Sequence, residues 1–383
     1  MKTAAPNTKP LKIGLFIASD PSTTGGIQEY VYRLMLEFEK QNHIVTVYGP
    51  RPENKLLYPF TRYVPVSKTY HVNLKNGFQP TINGPIFPLI NFNEDILHIH
   101  EPYVPFITGR APFISSALVK IASFHTGWEV SENPDPWIKF ITASLPIIKP
   151  LYSSYYDGVT YCSQFVKQNW DILFNNKIPS KIIHYGADKS QFYKKSDHRL
   201  NILFLARLVP RKGVLDFIQA ISLIPKHILK NTAISIVGDG PEKNEAIDLV
   251  RKYKLQTIVT FYGEIAGEKR LNYIRRANIF VAPYRNEGFG LTILEAIQSG
   301  CTIVGYMNEV FKESLLRYPE PDLLSPKGNI PILAKNLTRV LKDTKLRSRI
   351  QLWGKQHLKS FSWKKTATET LNFYRQLLSK KAV

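Results

Sequence analysis

Glu287 and Glu295 lie eight residues apart in the stretch NEGFGLTILEAIQSG, with Gly288 and Gly290 between them. The glycines leave backbone N–H groups uncovered just before an apolar helical pattern of Leu291, Leu294, Ala296 and Ile297. Amides at a helix start, with the helix dipole behind them, favour an anion such as a diphosphate. Glu287 precedes that start and Glu295 sits on the helix it opens. Each fixed carboxylate can accept a pair of hydroxyl hydrogens, which suits a polyol such as a sugar or a ribose. Upstream, ARLVPRKG at Ala206–Gly213 follows an apolar run and carries Arg207 and Lys212 on a loop. Two cations there suit a leaving diphosphate, whose growing charge they would stabilise as a sugar bond breaks.

The first half carries a second set. SDPSTTGGIQEYV puts Gly25 and Gly26 directly before a helical pattern, so backbone amides can approach an anion there too. The turn lacks the third glycine of GxGxxG, which excludes a dinucleotide fingerprint. DILHIHEP ends a strand-like run with His98 and His100 on one side, followed by Glu101 and Pro102. Imidazole at a strand end can donate or accept a hydrogen bond near neutral pH, although by residue type alone such a pair is more often a core or surface feature. SFHTGW is the next cleft-facing loop and makes His125 a weaker candidate, with capping of the strand end the better account.

Strands and helices must hold these residues in place. Leu11–Ser19 is a short apolar run, followed by a turn and a helical face of Ile27, Tyr30, Val31, Leu34, Met35 and Phe38. HIVTVYG, DILHIH, LVKIASFH and GVTYCS supply further strands. The alternation starts again at Leu200 with LNILFLA, a helix from about Val214, Ala233–Gly238, a helix from about Pro241, Thr257–Gly263 and Ala277–Pro283. The expected fold is α/β, with two Rossmann-like, doubly wound parallel-sheet domains facing a central cleft, and ligands at the carboxyl ends of the strands. The boundary falls near Asp188, giving domains over 1–188 and 189–361. A C-terminal helix at about 362–383 packs back on the first.

The chain has 383 residues and a net charge of +21. Residues 1–188 hold 17 Lys and Arg against 14 Asp and Glu, so the basic excess belongs to the second half. A nucleic-acid partner would need a recognition motif or aromatics interleaved with basic residues, and the sequence has neither. Cys162 and Cys301 form no metal-binding or disulfide pattern, which fits a reducing cytoplasm. No run approaches the ~20 apolar residues needed to span a bilayer, so membrane contact is expected to be peripheral. Pro134–Tyr152, which mixes Trp, Phe and Ile with lysines and prolines, is compatible with resting on a membrane surface, and fits packing beside the cleft slightly better.

Taken together, these strings resemble the family 4 glycosyltransferases of the GT-B fold. The resemblance rests on the Glu287–Glu295 spacing, RLVPRKG, the GG turn, GDGPE at Gly238–Glu242, IIHYGAD at the domain junction and SFSWKKTA near the end. It implies a retaining transferase that moves a hexose from a nucleoside-diphosphate sugar, GDP-mannose or a UDP-hexose, to a lipid or glycan acceptor in envelope glycoconjugate synthesis. Arg207 and Lys212 would hold the diphosphate. Glu287, with the backbone of Gly288, Phe289 and Gly290, would hold the transferred sugar, and Glu295 the ribose. The base would lie near Gly263 to Ile265. Gly25 and Gly26 would face the diphosphate and acceptor across the cleft. HIHEP is similar to the corresponding string of phosphatidylinositol mannosyltransferase-like enzymes, which implies that His100 contacts the donor sugar and helps position the acceptor. Without a DxD signature, neither a metal nor another cofactor is expected. A sugar-nucleotide epimerase on the same fold is the alternative. After Gly300 the chain leaves the family pattern, with Thr302 where a proline is common and fewer glycines beyond.

Overall fold

The computed structural model describes residues 9–23, 25–71, 81–83, 93–102, 110–127, 143, 154–171, 174, 178–187 and 199–381. Two parallel sheets follow one another along the chain. The first holds β1 (Lys12–Phe16), β2 (Ile44–Pro50), β3 (Tyr63–Ser67), β6 (Ile96–His100), β7 (Val119–Phe124), β8 (Gly158–Tyr161) and β9 (Ser180–Ile182), in the order β3-β2-β1-β6-β7-β8-β9. A separate antiparallel pair, β4 (Thr69–His71) and β5 (Thr81–Asn83), lies between β3 and β6 in the chain. The second sheet holds β10 (Leu200–Leu205), β11 (Thr232–Val237), β12 (Val259–Phe261), β13 (Ile279–Ala282), β14 (Thr302–Tyr306) and β15 (Leu324–Ser325), in the order β12-β11-β10-β13-β14-β15.

Central strands such as β1, β6, β10 and β13 are buried on both faces, which explains why they read as continuous apolar runs. Each sheet also reverses its strand order once. In the first sheet the reversal lies between β1 and β6, and in the second between β10 and β13. Loops leaving the carboxyl ends of strands on either side of such a reversal diverge and leave a crevice. The GG turn follows β1, His100 ends β6 with Glu101 just beyond it, the Arg207–Lys212 loop follows β10, and Glu287 follows β13. All four stretches singled out by their chemistry therefore leave strands at the two reversals.

The helix Gly26–Glu39 buries Tyr30, Val31, Leu34, Met35 and Phe38 as its spacing requires, but its first buried position is Gln28 rather than Ile27. Gln28 is polar yet satisfied: its amide donates to the Asp20 carbonyl at 3.1 Å and to the Thr23 hydroxyl at 3.2 Å, closing the turn before the helix. The edge strand expected over Thr257–Gly263 shortens to Val259–Phe261. The last helix, Trp363–Lys381, lies against the first sheet and the helix Gly26–Glu39. Its Tyr374 hydroxyl is hydrogen-bonded to His98 Nδ1 at 2.6 Å, Lys381 pairs with Asp157 at 2.8 Å, and Leu377 and Phe373 occupy the space that a side chain at Gly158 would need. Among the described residues no helix is long and apolar enough to cross a membrane. The segment Pro134–Tyr152, considered above for membrane contact, lies outside the described residues apart from Ala143.

Candidate active site

In the second half, the loop after β10 is held from below by the GDGPE turn. Leu208 N–H donates to the Asp239 carbonyl at 2.9 Å, and Glu242 N–H returns a bond to the Leu208 carbonyl at 3.0 Å. Pro210–Lys212 forms a single 3₁₀ turn that presents Arg211 and Lys212 together. Lys212 forms an ion pair with Glu287 and sits 4.1 Å from the centre of the Tyr284 ring, on whose face a cation is attracted. Burial is the main reason its ammonium falls to about 8; Glu287 opposes that shift and Arg211 adds to it. Burial alone would raise the Glu287 carboxyl, but the Lys212 and Arg211 charges outweigh it and hold the group below the usual range. Arg207 reaches solvent at the mouth while protein surrounds it on a wider radius, as expected of a side chain in a cleft. That enclosure, then Arg211, lowers its guanidinium from the ordinary value, and Glu264 opposes the change.

The Glu287 loop runs directly into the helix Leu291–Gln298. Gly290 precedes that helix with φ +86°, the left-handed region that glycine enters without strain. Glu287 Oε1 accepts the Gly288 N–H at 3.0 Å. Glu295, nearly buried on the helix, is gripped by both ends of the Arg270 guanidinium at 2.5 and 2.6 Å. A bidentate guanidinium uses two of the four lone-pair sites of a carboxylate and leaves two for hydroxyl groups. The Phe289 side chain points into the junction of the two halves, stacked on His184 at 5.2 Å and packed on Tyr185 and Phe361, so its backbone is the part left for a ligand. Ile265 is half-buried on the loop after β12, one turn before the helix Gly267–Arg276 that carries Arg270.

In the first half, Gly25 caps the helix Gly26–Glu39 in extended backbone, and a Cβ on Gly26 would meet nothing within 4 Å. Tyr58, hydrogen-bonded to the Gly25 backbone, and Glu29 both act on the Arg270 charge, so the GG turn faces the Arg270–Glu295 pair. His100 is fully buried. Its Nδ1 lies 2.8 Å from His125 Nε2, and His125 Nδ1 lies 2.8 Å from the Tyr185 hydroxyl. Two neutral imidazoles in series carry one proton each, so in either direction the chain ends on His100 Nε2, which has no partner among the described residues. Burial drives His98 and His125 down to about 3 and His100 well below its usual value, so all three are neutral near pH 7. Glu101, at φ +55°, accepts the His125 N–H at 3.0 Å and so orients this strand end. The halves meet at Gly288. Its carbonyl accepts the Ser163 hydroxyl at 2.9 Å, and a Cβ at this position would stand 1.9 Å from the His125 carbonyl oxygen, so only glycine fits.

Residues 24–191 match the family described as Glycosyltransferase Family 4, and residues 187–357 match Glycosyl transferases group 1. The chain is a family 4 glycosyltransferase. It is 24% identical over 387 positions to phosphatidyl-myo-inositol mannosyltransferase of Mycobacterium tuberculosis, covering 95% of this chain and 96% of that one. Its fold is GT-B: sucrose-phosphate synthase from Thermosynechococcus elongatus superimposes with a TM-score of 0.74 at 19% identity, over 97% of this chain and 100% of that one. HepE of Anabaena, in complex with UDP and glucose, gives 0.72 at 15% identity over 96% and 100%.

In this glycosyltransferase the structure brings Arg207, Lys212 and Glu287 to one mouth, sets Gly25 and Gly26 opposite Glu295, and encloses His100 behind them. Three residues of this site escape the sequence reading. Arg211 stood inside ARLVPRKG, and Tyr185 inside KIIHYGAD. His125, the weaker candidate, links His100 to Tyr185. Arg270 gave no signal, being one cation among several on a charged helix. Thr302, where the family pattern breaks, is buried in β14, and the residues after it form the helix Glu309–Ser314.

Proposed function

We propose that the protein is a retaining hexosyltransferase that moves a hexose from a nucleoside-diphosphate sugar, GDP-mannose or a UDP-hexose, to a lipid or glycan acceptor of the cell envelope at the inner face of the membrane. The observation that carries this reading is the cluster of Arg207, Arg211 and Lys212 on one loop, with Glu287 set against Lys212 at the reversal of the second sheet. Three cations beside one carboxylate form a site for a diphosphate whose neighbouring sugar offers hydroxyls to Glu287. As the glycosidic bond breaks, these cations take up the charge on the leaving oxygen, and that diphosphate oxygen accepts the acceptor's proton on the same face. This front-face route explains retention without a protein nucleophile. It assigns charge neutralisation to the cations, so transfer is expected to persist in a chelator. Glu295, with two lone-pair sites open beside Arg270, is the group for the ribose. The name of the mycobacterial relative, a mannosyltransferase acting on phosphatidyl-myo-inositol, supports a lipid acceptor, and the UDP and glucose bound to HepE support a nucleotide-sugar donor.

A thermal-shift screen of uridine- and guanosine-diphosphate sugars tests the donor, since a ligand bound by the folded state alone raises the melting temperature. Transfer by the wild type, with the anomeric configuration of product read by NMR, tests the reaction. Glu287→Gln and Lys212→Ala are expected to stay folded and to lose at least about a hundredfold in kcat/KM. Retained turnover in both would sink the reading, and release of an altered sugar with free nucleotide in the absence of acceptor would replace it with an epimerase.

A further inference from the structure

Glu313 lies on the helix Glu309–Ser314, in the stretch where the sequence leaves the family pattern, and its side chain crosses to the first half. Oε1 accepts the Gln164 N–H at 2.8 Å and the Phe165 N–H at 3.3 Å. Oε2 accepts the Gln164 N–H at 2.9 Å and lies 3.2 Å from His184 Nε2. Gln164 and Phe165 open the helix Gln164–Trp170, so their amides have no acceptor within it, and a carboxylate meets that need with charge-assisted bonds. The preceding residue, Ser163, accepts the Val166 N–H at 3.1 Å. A hydroxyl has a single proton, and Ser163 gives it to the Gly288 carbonyl at 2.9 Å. The Cys162 thiol reaches the same carbonyl at 3.4 Å. Gly288 in turn donates its N–H to Glu287.

We propose that Glu313 is a positioning residue for sugar transfer. It fixes the Cys162–Phe165 turn from the opposite half, and through Ser163 and Gly288 that turn holds the Glu287 carboxylate in place. The inference rests on the reading of Glu287 as the group that holds the transferred sugar. It also accounts for the departure after Gly300, because the helix found there is what carries Glu313 across the junction. The side chain borders a crevice of about 410 Å³, also lined by His184, Tyr185, Phe361 and Lys365, so shortening it admits water and leaves no void in a core.

Hydrogen exchange on the full chain tests the route without needing a donor. In Glu313→Ala, amides over 286–290 are expected to exchange about tenfold faster or more, with most of the protection recovered in Glu313→Gln, which keeps one acceptor oxygen. Ser163→Ala, which leaves residue 313 untouched, is expected to raise exchange over the same residues. The control Glu309→Gln, which alters an exposed pair with Lys312, is expected to leave it at the wild-type level. With the donor identified, kcat/KM is expected to fall about tenfold or more in Glu313→Ala, and adding Ser163→Ala is expected to cost less than the product of the two single effects. Unchanged exchange over 286–290 in Glu313→Ala or in Ser163→Ala overturns the positioning role, as do two effects that multiply independently. A wild type that transfers no sugar overturns the functional reading instead, and leaves the exchange result to decide the role of Glu313.

Discussion

Lys212 keeps its charge narrowly. Burial pulls its ammonium from an ordinary value near 10.5 to about 8, and without the opposing charge of Glu287 it would fall further. A diphosphate brought beside it favours the protonated form, so donor binding near pH 8 must take up protons, and donor affinity must fall as the pH rises through about 8. Calorimetry in buffers of different ionisation enthalpy measures that uptake directly. In Glu287→Gln the favourable charge is gone, so the pH at which donor affinity declines is expected to move below 8. A midpoint that stays in place would show that the pairing with Glu287 does not tune Lys212. At this scale the sequence makes residue types and spacings visible, and these single out Arg207, Lys212, Glu287 and Glu295 as candidates. It could not show that Glu295 shares its carboxylate with Arg270, because that pair joins two helices 25 positions apart in the chain.

Two glycines that look alike in sequence sit in opposite surroundings, and the elements around them decide what each does. Gly26 opens the helix Gly26–Glu39 with empty space where a Cβ would lie, whereas Gly288 is pressed against the His125 carbonyl of the other half. Gly26→Ala reduces the freedom of the unfolded chain at a position that tolerates alanine, so its melting temperature is expected to hold or rise slightly, by up to ~1 kcal/mol of stability. The new methyl group fills open space beside the GG turn, where the donor diphosphate is proposed to lie, so donor affinity is expected to fall. Gly288→Ala must push the loop off the first half, which is expected to lower both the melting temperature and, by about a hundredfold, kcat/KM. Thermal melts combined with donor titrations separate the two patterns, and equal behaviour of the two variants would refute the assignment. Continuous apolar runs revealed β1, β6, β10 and β13 in the sequence. The short edge strands β3 and β15 and the helix Glu309–Ser314 lack such a pattern, because they are held by neighbouring strands and by contacts across the junction.

At the scale of the whole molecule, the two sheets are tied together by the last helix. The repeated strand and helix alternation made two successive sheets legible, and the reversals that place the cleft follow from their order. No local pattern shows that Tyr374, beyond the second sheet, completes the core of the first. Its hydroxyl is bonded to His98 Nδ1, and His98 Nε2 lies 3.4 Å from the Thr160 hydroxyl in the same buried layer as His100 and His125. These histidines have folded values far below the ordinary 6.5, His98 and His125 near 3, so between those limits the unfolded chain binds protons that the folded chain refuses. Stability from this layer is therefore fully present above about pH 6.5 and is lost as the pH falls toward 3. Tyr374→Phe leaves His98 Nδ1 buried without a partner, at a cost of about 1–3 kcal/mol, which for a protein of this size melting as one unit lowers the melting temperature by roughly 1–4 °C at neutral pH. The hydroxyl lost in that variant lies in the first half's core while the helix bearing it follows the second sheet, so both halves are expected to melt earlier and together. Calorimetry from pH 8 down to pH 4 checks both points. A wild-type melting temperature that does not decline below pH 6.5 would show that the histidine layer sets no pH limit on stability, and a Tyr374→Phe variant in which one half melts early and the other as in the wild type would show that the last helix does not couple the halves.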